Sequence, residues 1–336
     1  MLFRSTVSRV FNLPDKVAPA TREHVQQVAR TLGYQPNASA RTLRTQRSQV
    51  LGVVLPTLTN PVFAECLDGI AQAAAAQGYA ILPFTTDYRV AREDQAVGLL
   101  LAGDVDGMVL VVSNPATSTA LERLADVGLP YVLAYNRHPG YPCVSVNSEE
   151  AVAEAVARLA DLGHRRIAMV SGLLQASDRA QQRCRGYALG MARAGLPAQP
   201  VLQVPFVTAA PELLGKALLP AGRPTALICS NDLLAIRSIR AAHLAGLSVP
   251  RDLSVLGFDG IALGQDLTPQ LGTVVQPNTD IGRRCVELLA RAIAGERPLG
   301  PETGLTLAHT FRAGESCAPP AGLTPVSSPS PVSPHP

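Results

Sequence analysis

VLGVVLPTLTNPVFAECLDGIAQAAAAQGYAILPF occupies residues 50–84. Two short, β-rich apolar runs, VLGVVLP and YAILPF, flank a helical segment. GMVLVV (107–112) repeats the pattern, and each of these three runs is followed by a helical stretch of roughly ten to twenty residues. The series resumes with YVLAY (131–135), CVSVN (143–147), RIAMVSG (166–172), VLQVPF (201–206), TALICSN (225–231) and DLSVLGFD (252–259). Apolar strands alternating with amphipathic helices predict parallel sheets covered on both faces. About ten strands are too many for one compact doubly wound domain of this length. The spacing therefore predicts an α/β body of two doubly wound parallel-sheet subdomains.

Upstream, residues 1–49 carry short helical patterns and no strand signal. In RSTVSRVFN (4–12), Val7, Val10 and Phe11 fall on one face at i, i+3, i+4. Arg4, Ser5, Ser8, Arg9 and Asn12 fall on the other. Two prolines in NLPDKVAP (12–19) break that helix. ATREHVQQVARTLGY (20–34) is a second amphipathic helix, with Val25, Val28, Ala29 and Leu32 inward and Gly33 where a C-terminal cap belongs. Pro36 restarts the chain, and Asn37 is placed to cap a short helix through about Thr45. Downstream, APPAGLTPVSSPSPVSPHP (318–336) is Pro- and Ser-rich and is expected to be disordered.

Composition limits the function classes. Apolar residues make up 47% of 336, enough for a substantial core, and no apolar run approaches the ~20 residues of a membrane span. No signal-peptide pattern opens the chain, so a cytoplasmic protein is expected. The six cysteines are scattered without CxxC and the histidines lack metal spacing, which predicts reduced thiols, no metal and no cofactor. Net charge is +3, yet residues 1–49 hold eight Arg or Lys against Asp15 and Glu23. A basic end on a mildly acidic body suits a polyanion partner, or else a solvated arm. GxGxxG after the first strand, GxxxxGK[ST], GxSxG and HExxH are all absent, which argues against an enzyme.

Several stretches occur in the order of one known family. STVSRVFN, TREHVQQVARTLGYQPNASARTLRT, GVVLPTLTNPVFAECLDGI, DLGHRRIAMVSG, QRCRGYALGMARAG, ICSNDLLAIRSIRAAHLAGLSVPRDLSVLGFDG and TVVQP resemble the lactose-repressor and purine-repressor family of bacterial transcription regulators. The resemblance runs from residue 4 to about 317. It implies a partial helix-turn-helix headpiece (1–36), a hinge helix and linker (37–48), a two-subdomain, periplasmic-binding-protein-like sensor (49–317) and a tail (318–336). STVSRVFN looks like the recognition helix. Arg4, Ser5 and Arg9 would then meet base edges, and Thr6 and Ser8 phosphates. A frayed, solvated terminus is the other reading of Arg4. In the hinge, Leu43 matches the residue that wedges into a base step from the minor groove, flanked by Arg41 and Arg44 with Asn37 upstream. Leu43 as an ordinary core leucine is the alternative. A helix-turn-helix needs a first helix packed on the recognition helix. None precedes residue 4, so Val7, Val10 and Phe11 are expected to lack a partner and the native start to lie upstream.

By the same resemblance, a small effector binds between the subdomains. The matched positions are Asn60, Phe63, Arg137, Asn147, Arg183, Asn231, Asp259 and Gln276. Amides, carboxylates and arginines suit a polyhydroxylated ligand, and Arg137 and Arg183 also suit a carboxylate or phosphate. For Asn147 and Asn231, helix capping is an equal reading. The pairing of LPTLTNPVFAE with GFDGIALGQDLTPQLGTV is similar to the gluconate-responsive branch, which implies a sugar or sugar acid, with a nucleobase or phosphosugar behind it. The implied activity is a repressor that grips a palindromic double-stranded operator as a homodimer under effector control. The alternative is a cytoplasmic sugar-binding protein whose shortened headpiece no longer binds DNA.

Overall fold

In the computed structural model, which describes residues 3–12, 14–34, 47–205, 214–215 and 222–321, the apolar runs form strands where their pattern places them. The chain divides into two compact units, Met1–Gln49 and Val50–Pro336.

The smaller unit is helical. Helix α1 (Phe3–Asn12) leads through a 3-10 turn at Pro14–Lys16 to α2 (Pro19–Thr31). Pro19 starts α2, where a missing N–H removes no helical bond. Gly33 ends it at φ +61°, with Tyr34 N–H donating to Ala29 O at 2.8 Å and Gly33 N–H to Arg30 O at 3.2 Å. This is the double bond pattern of a glycine cap, which satisfies orphan carbonyls. Two expectations need correction. Val10 is buried at 1% exposure and the Phe11 and Tyr34 rings lie 5.8 Å apart, so those two residues of α1 do find partners, while Val7 stays 41% exposed as expected. Val28 and Leu32, expected inward, are 42% and 74% exposed, and Ala29 forms the buried contact instead. The hinge residues Asn37, Arg41, Leu43 and Arg44 lie outside the described residues, as does the tail beyond residue 321.

The larger unit contains two six-stranded sheets. The first holds β1 (Val50–Leu55), β2 (Ala80–Thr85), β3 (Gly107–Leu110), β4 (Tyr131–Ala134), β5 (Cys143–Val146) and β11 (Leu305–Leu307), in the order β11-β5-β4-β3-β1-β2 and wholly parallel. The second holds β6 (Ile167–Ser171), β7 (Leu202–Gln203), β8 (Ala226–Cys229), β9 (Ser254–Asp259), β10 (Gly272–Val275) and β12 (Thr310–Arg312), in the order β12-β10-β9-β8-β6-β7. Only the β10–β12 pairing in that sheet is antiparallel. Helices α3 (Pro61–Ala76) and α9 (Asn278–Ile293) cover one face of the first sheet, and α4 (Val90–Ala102) and α5 (Thr119–Val127) the other. Helices α6 (Ser148–Asp161) and α7 (Asp178–Arg193) cover one face of the second sheet, and α8 (Asp232–Leu244) packs on the other.

Strand alternation decides which core each side chain joins. Leu51, Val53 and Leu55 enter the core beneath α3 and α9, and Val54 points to α4 and α5. Burial on both faces is why VLGVVL reads as a continuous apolar run. Each such side chain contributes about 1.5–3 kcal/mol by leaving water.

The chain crosses between the lobes three times: at Asn147 between β5 and α6, at Gln276–Pro277 between β10 and α9, and at Ala308–His309 between β11 and β12. The helix after each of the first two crossings is clamped backbone to backbone. A Cβ on Gly186 of α7 would sit 2.2 Å from Glu149 O of α6, and one on Gly282 of α9 would sit 2.2 Å from Cys66 O of α3. Glycine is required at both approaches. The short strands β11 and β12 were not expected from sequence. They anchor the last segment to both sheets.

Candidate functional site

Strands of both lobes end at a shared cleft, as expected where parallel strands present their carboxyl ends. From the first lobe come Asn60 and Phe63 at the start of α3, Tyr88 beyond β2 and Tyr135 at the end of β4. From the second come Arg179 and Arg183 on α7, Ser230 and Asn231 after β8, and Asp259 ending β9, with Gln276 on the crossing after β10. The space left between these side chains is about 30 Å³. Tyr88, Tyr135 and Asp259 adopt φ of +59°, +63° and +121°. Such strained backbone in non-glycine residues persists where surrounding structure enforces it, and it clusters at ligand clamps.

An ion pair occupies the centre. Arg183 Nη2 lies 3.3 Å from Asp259 Oδ1, with both side chains under a tenth exposed. The guanidinium also stacks over the Phe258 ring at 3.8 Å and donates to Ser230 O. Gln276 Nε2 donates to Asp259 Oδ1 at 2.9 Å. Burial pushes the Asp259 carboxyl up to about 6, against the pull of Arg183, Gln276 and Asn60. Burial likewise lowers Arg183, opposed by Asp259. Below them Asp232 is pushed up to about 7, first by burial and then by the neighbouring Asp259 charge. Among the described residues two buried guanidinium nitrogens at the cleft, Arg179 Nη2 and Arg183 Nε, have no hydrogen-bond partner. Buried donors left unmet are costly, and here they offer positions where acceptors could bond.

Hydrogen bonds close the cleft on both sides. On one side Asn136 Nδ2 donates to Asp178 Oδ1 at 2.6 Å, Asp178 N–H to Ser113 O at 2.7 Å, and Arg179 Nη1 to Val112 O at 2.8 Å. Glu93 braces that contact by accepting from Ser113 N–H and Oγ, and burial raises its carboxyl. On the other side Glu65 of α3 accepts from Asn278 Nδ2 at 2.7 Å and from Ala262 N–H at 3.4 Å.

The structure brings together six of the eight residues expected in the cleft: Asn60, Phe63, Arg183, Asn231, Asp259 and Gln276. Asn60 and Asn231 also cap helices, accepting from Val62 N–H at 3.4 Å and Leu234 N–H at 2.8 Å. Arg137 and Asn147 do not join them. They line a separate groove of about 360 Å³, where Arg137 donates to Thr306 and Asn147 caps α6. Arg137 stands two residues beyond Tyr135 and lines that groove together with Gln182 and Arg185 of α7. Sequence reading missed Tyr88, Tyr135, Ser177, Arg179 and Ser230. Arg179 carried a signal, since it stands one helical turn before Arg183 and shares its face. At the other end of the chain, Ser8 and Arg9 lie exposed on α1 and Thr6 is half-buried, while Arg4 and Ser5 belong to the same helix.

Comparison with known proteins gives a consistent result. Residues 4–37 match the bacterial regulatory proteins of the lacI family, and residues 156–317 match a periplasmic binding protein-like domain. The chain is 34% identical over 292 residues to catabolite control protein A of Priestia megaterium, covering 85% of this chain and 88% of that one. It is 32% identical over 297 residues to the transcriptional repressor CytR of Escherichia coli, covering 87% and 86%. Among solved structures, a complex of the regulator CelR with cellobiose superposes with a TM-score of 0.71 at 26% identity, over 93% of this chain and 95% of that one. The lac repressor dimer bound to operator shares the fold, with a TM-score of 0.83 at 24% identity over 94% and 95%. The chain belongs to the lacI family of bacterial regulatory proteins and is a DNA-binding transcriptional regulator with a periplasmic-binding-protein-like core.

Proposed function

We propose that this regulator represses transcription by gripping a two-fold operator as a homodimer in the cytoplasm, and that a sugar or sugar acid between its lobes sets the grip. The observation that carries this reading is the convergence of Asn60, Arg183, Asn231, Asp259 and Gln276 on one cleft walled by both lobes. Paired acceptors and donors beside the Phe63 and Tyr135 rings suit a hydroxylated ring, whose flat face stacks while its hydroxyls bond, and the lobes part to admit it because the cleft as it stands holds about 30 Å³. Relatives support the class: the ribose operon repressor of Haemophilus influenzae is 30% identical over 292 residues, and CelR is seen with cellobiose. A ligand carboxylate would take the unmet guanidinium nitrogens of Arg179 and Arg183, which extends the reading to sugar acids.

The DNA contacts follow the family pattern. Arg4, Ser5 and Arg9 read base edges, Thr6 and Ser8 hold phosphates, and Leu43 enters a minor-groove step between Arg41 and Arg44, in a hinge helix that Asn37 opens. Residues 1–36 form the headpiece, 37–48 the hinge, 49–317 the sensor and 318–336 the tail. Effector changes the closure of the lobes, closure changes the hinge, and by linkage operator and effector alter each other's affinity by the same factor. Operator titration of the full chain, with and without a panel of sugars and sugar acids, tests this. A palindrome preferred over random duplex, with affinity shifted by one ligand, is the expected result. Equal affinity for every duplex under all conditions rejects it.

A further inference from the structure

We propose that the groove containing Arg137 is a second ligand site, for a small molecule carrying a dianionic phosphate group, whose occupant bridges the two lobes beside the first crossing. At about 360 Å³ the groove has room for a small organic molecule, where the cleft retains about 30 Å³. One wall belongs to the first lobe, with Arg137 and His138 after β4 and Thr306 on β11. The other belongs to the second lobe, with Glu149 at the start of α6 and Arg185 on α7, and Asn147 is the crossing itself.

The charges facing the groove are unbalanced. Arg137 is exposed and donates to the neutral Thr306 Oγ1 at 2.6 Å, and among the described residues no carboxylate pairs with it. Arg185 meets Glu149 at 3.2 Å, so two guanidinium groups face one carboxylate. His138 Nδ1 accepts the Gly140 N–H at 3.1 Å, which leaves Nε2 to carry the hydrogen of the neutral ring as a further donor. Planar guanidinium forks are the side chains best matched to phosphate oxygens. In the cleft each guanidinium already has a carboxylate beside it, Arg183 with Asp259 and Arg179 with Asp178, whereas Arg137 has none among the described residues. Because Arg137 and Arg185 stand on different lobes, a phosphate held by both ties their separation. Its affinity therefore depends on lobe closure, and its binding biases that closure.

The experiment needs neither operator nor sugar. The full-length chain is titrated with inorganic phosphate and with pyrophosphate at constant ionic strength, chloride balancing, and binding is read by calorimetry and ³¹P line broadening. Saturable binding is expected. Arg137→Gln and Arg185→Gln should each weaken it about tenfold or more, the cost of one charge-assisted contact. Arg137→Lys should restore part of the loss. Arg92→Gln, which removes an exposed arginine paired with Asp87, should leave binding unchanged. Arg137 is exposed, so its replacement leaves the fold intact, and the melting temperature of each variant checks this. Three results overturn the proposal: no saturation; equal weakening in Arg92→Gln, which means an adventitious ion only; or loss in Arg183→Gln with Arg137→Gln unaffected, which moves the phosphate to the cleft.

Discussion

Asp232 sits beneath the cleft in a cradle of donors. Its Oδ2 accepts from Gly260 and Ile261 N–H at 2.8 and 2.9 Å, and its Oδ1 from Thr273 Oγ1 at 2.6 Å. Burial and the Asp259 charge hold its carboxyl at about 7, so the folded state keeps a proton that the unfolded chain loses near pH 4. The unfolded state thus binds fewer protons between those values, and stability falls as pH rises from about 4 to 7. Asp232→Asn should remove that loss. Its amide oxygen can keep the two N–H bonds and its amide nitrogen can donate to Thr273, whose hydroxyl also lies 3.2 Å from Val274 O. The variant should therefore match the parent near pH 4.5 and exceed it by on the order of 2–4 kcal/mol at pH 8, read from urea midpoints. A constant difference across that range would remove the buried proton from the account. Arg183→Gln belongs to the same scale. Asp259, already at about 6, takes up a proton when its partner is lost, so the lobe stays folded. Operator affinity should persist and its response to effector should vanish. A variant that still responds would take Arg183 out of the site.

At the scale of elements, packing depends on where helices touch without side chains between them. Gly186 allows α7 to reach the Glu149 carbonyl of α6, and Gly282 does the same for α9 on α3. Gly186→Ala must push those backbones apart, against a core holding Ala151, Val152, Ala155 and Tyr187. Overpacking of this kind costs about 1–3 kcal/mol, and a lower urea midpoint with unchanged slope should report it. The strands of the body were legible because doubly buried strands are unbroken apolar runs bounded by turn residues, as in VLGVVL and TALIC. Leu305–Leu307 and Thr310–Arg312 were not, because three residues fall below any period that a sequence pattern carries. The same limit applies to the site. Asp259 could be placed from sequence because it ends β9, and a strand fixes the direction of its last side chain; Asn60 and Asn231 could be placed as caps of helices that open at the cleft. Arg137 lies three residues beyond β4 and Asn147 on the crossing from β5 to α6, and the sequence pattern does not say which groove a connecting residue lines. Tyr88 and Tyr135 reach the cleft through left-handed backbone, which no local pattern in the sequence announces.

In the larger unit two lobes are held together by contacts on either side of the cleft. The contact behind it, Asn136 with Asp178, is fully buried and also braces β3, because Asn136 Oδ1 and Nδ2 pair with Val112 N–H and O. Its removal would damage a lobe as well as a hinge. The contact in front is separable. Glu65 is half-buried and takes the Ala262 N–H at 3.4 Å, while Asn278 keeps its second bond to Asp259 O at 3.1 Å. Glu65→Ala therefore subtracts a closing interaction and leaves both cores intact. The Ala262 bond is long and exposed, so its loss costs at most about 1 kcal/mol and the open population should rise by up to about fivefold. Spin labels at Val127 and Leu244, 60% and 59% exposed on opposite lobes, can read the change as a longer or broader distance distribution. A ligand that binds the closed form should lose affinity by the factor through which the closed population falls. Stability should fall by no more than the energy of the lost closing bond, because both lobe cores are untouched, and the melting temperature checks this. If the label distance is unchanged and effector affinity is retained, Glu65 has no part in closure. The lobes would then be held by the rear contacts of Asn136, Asp178 and Arg179.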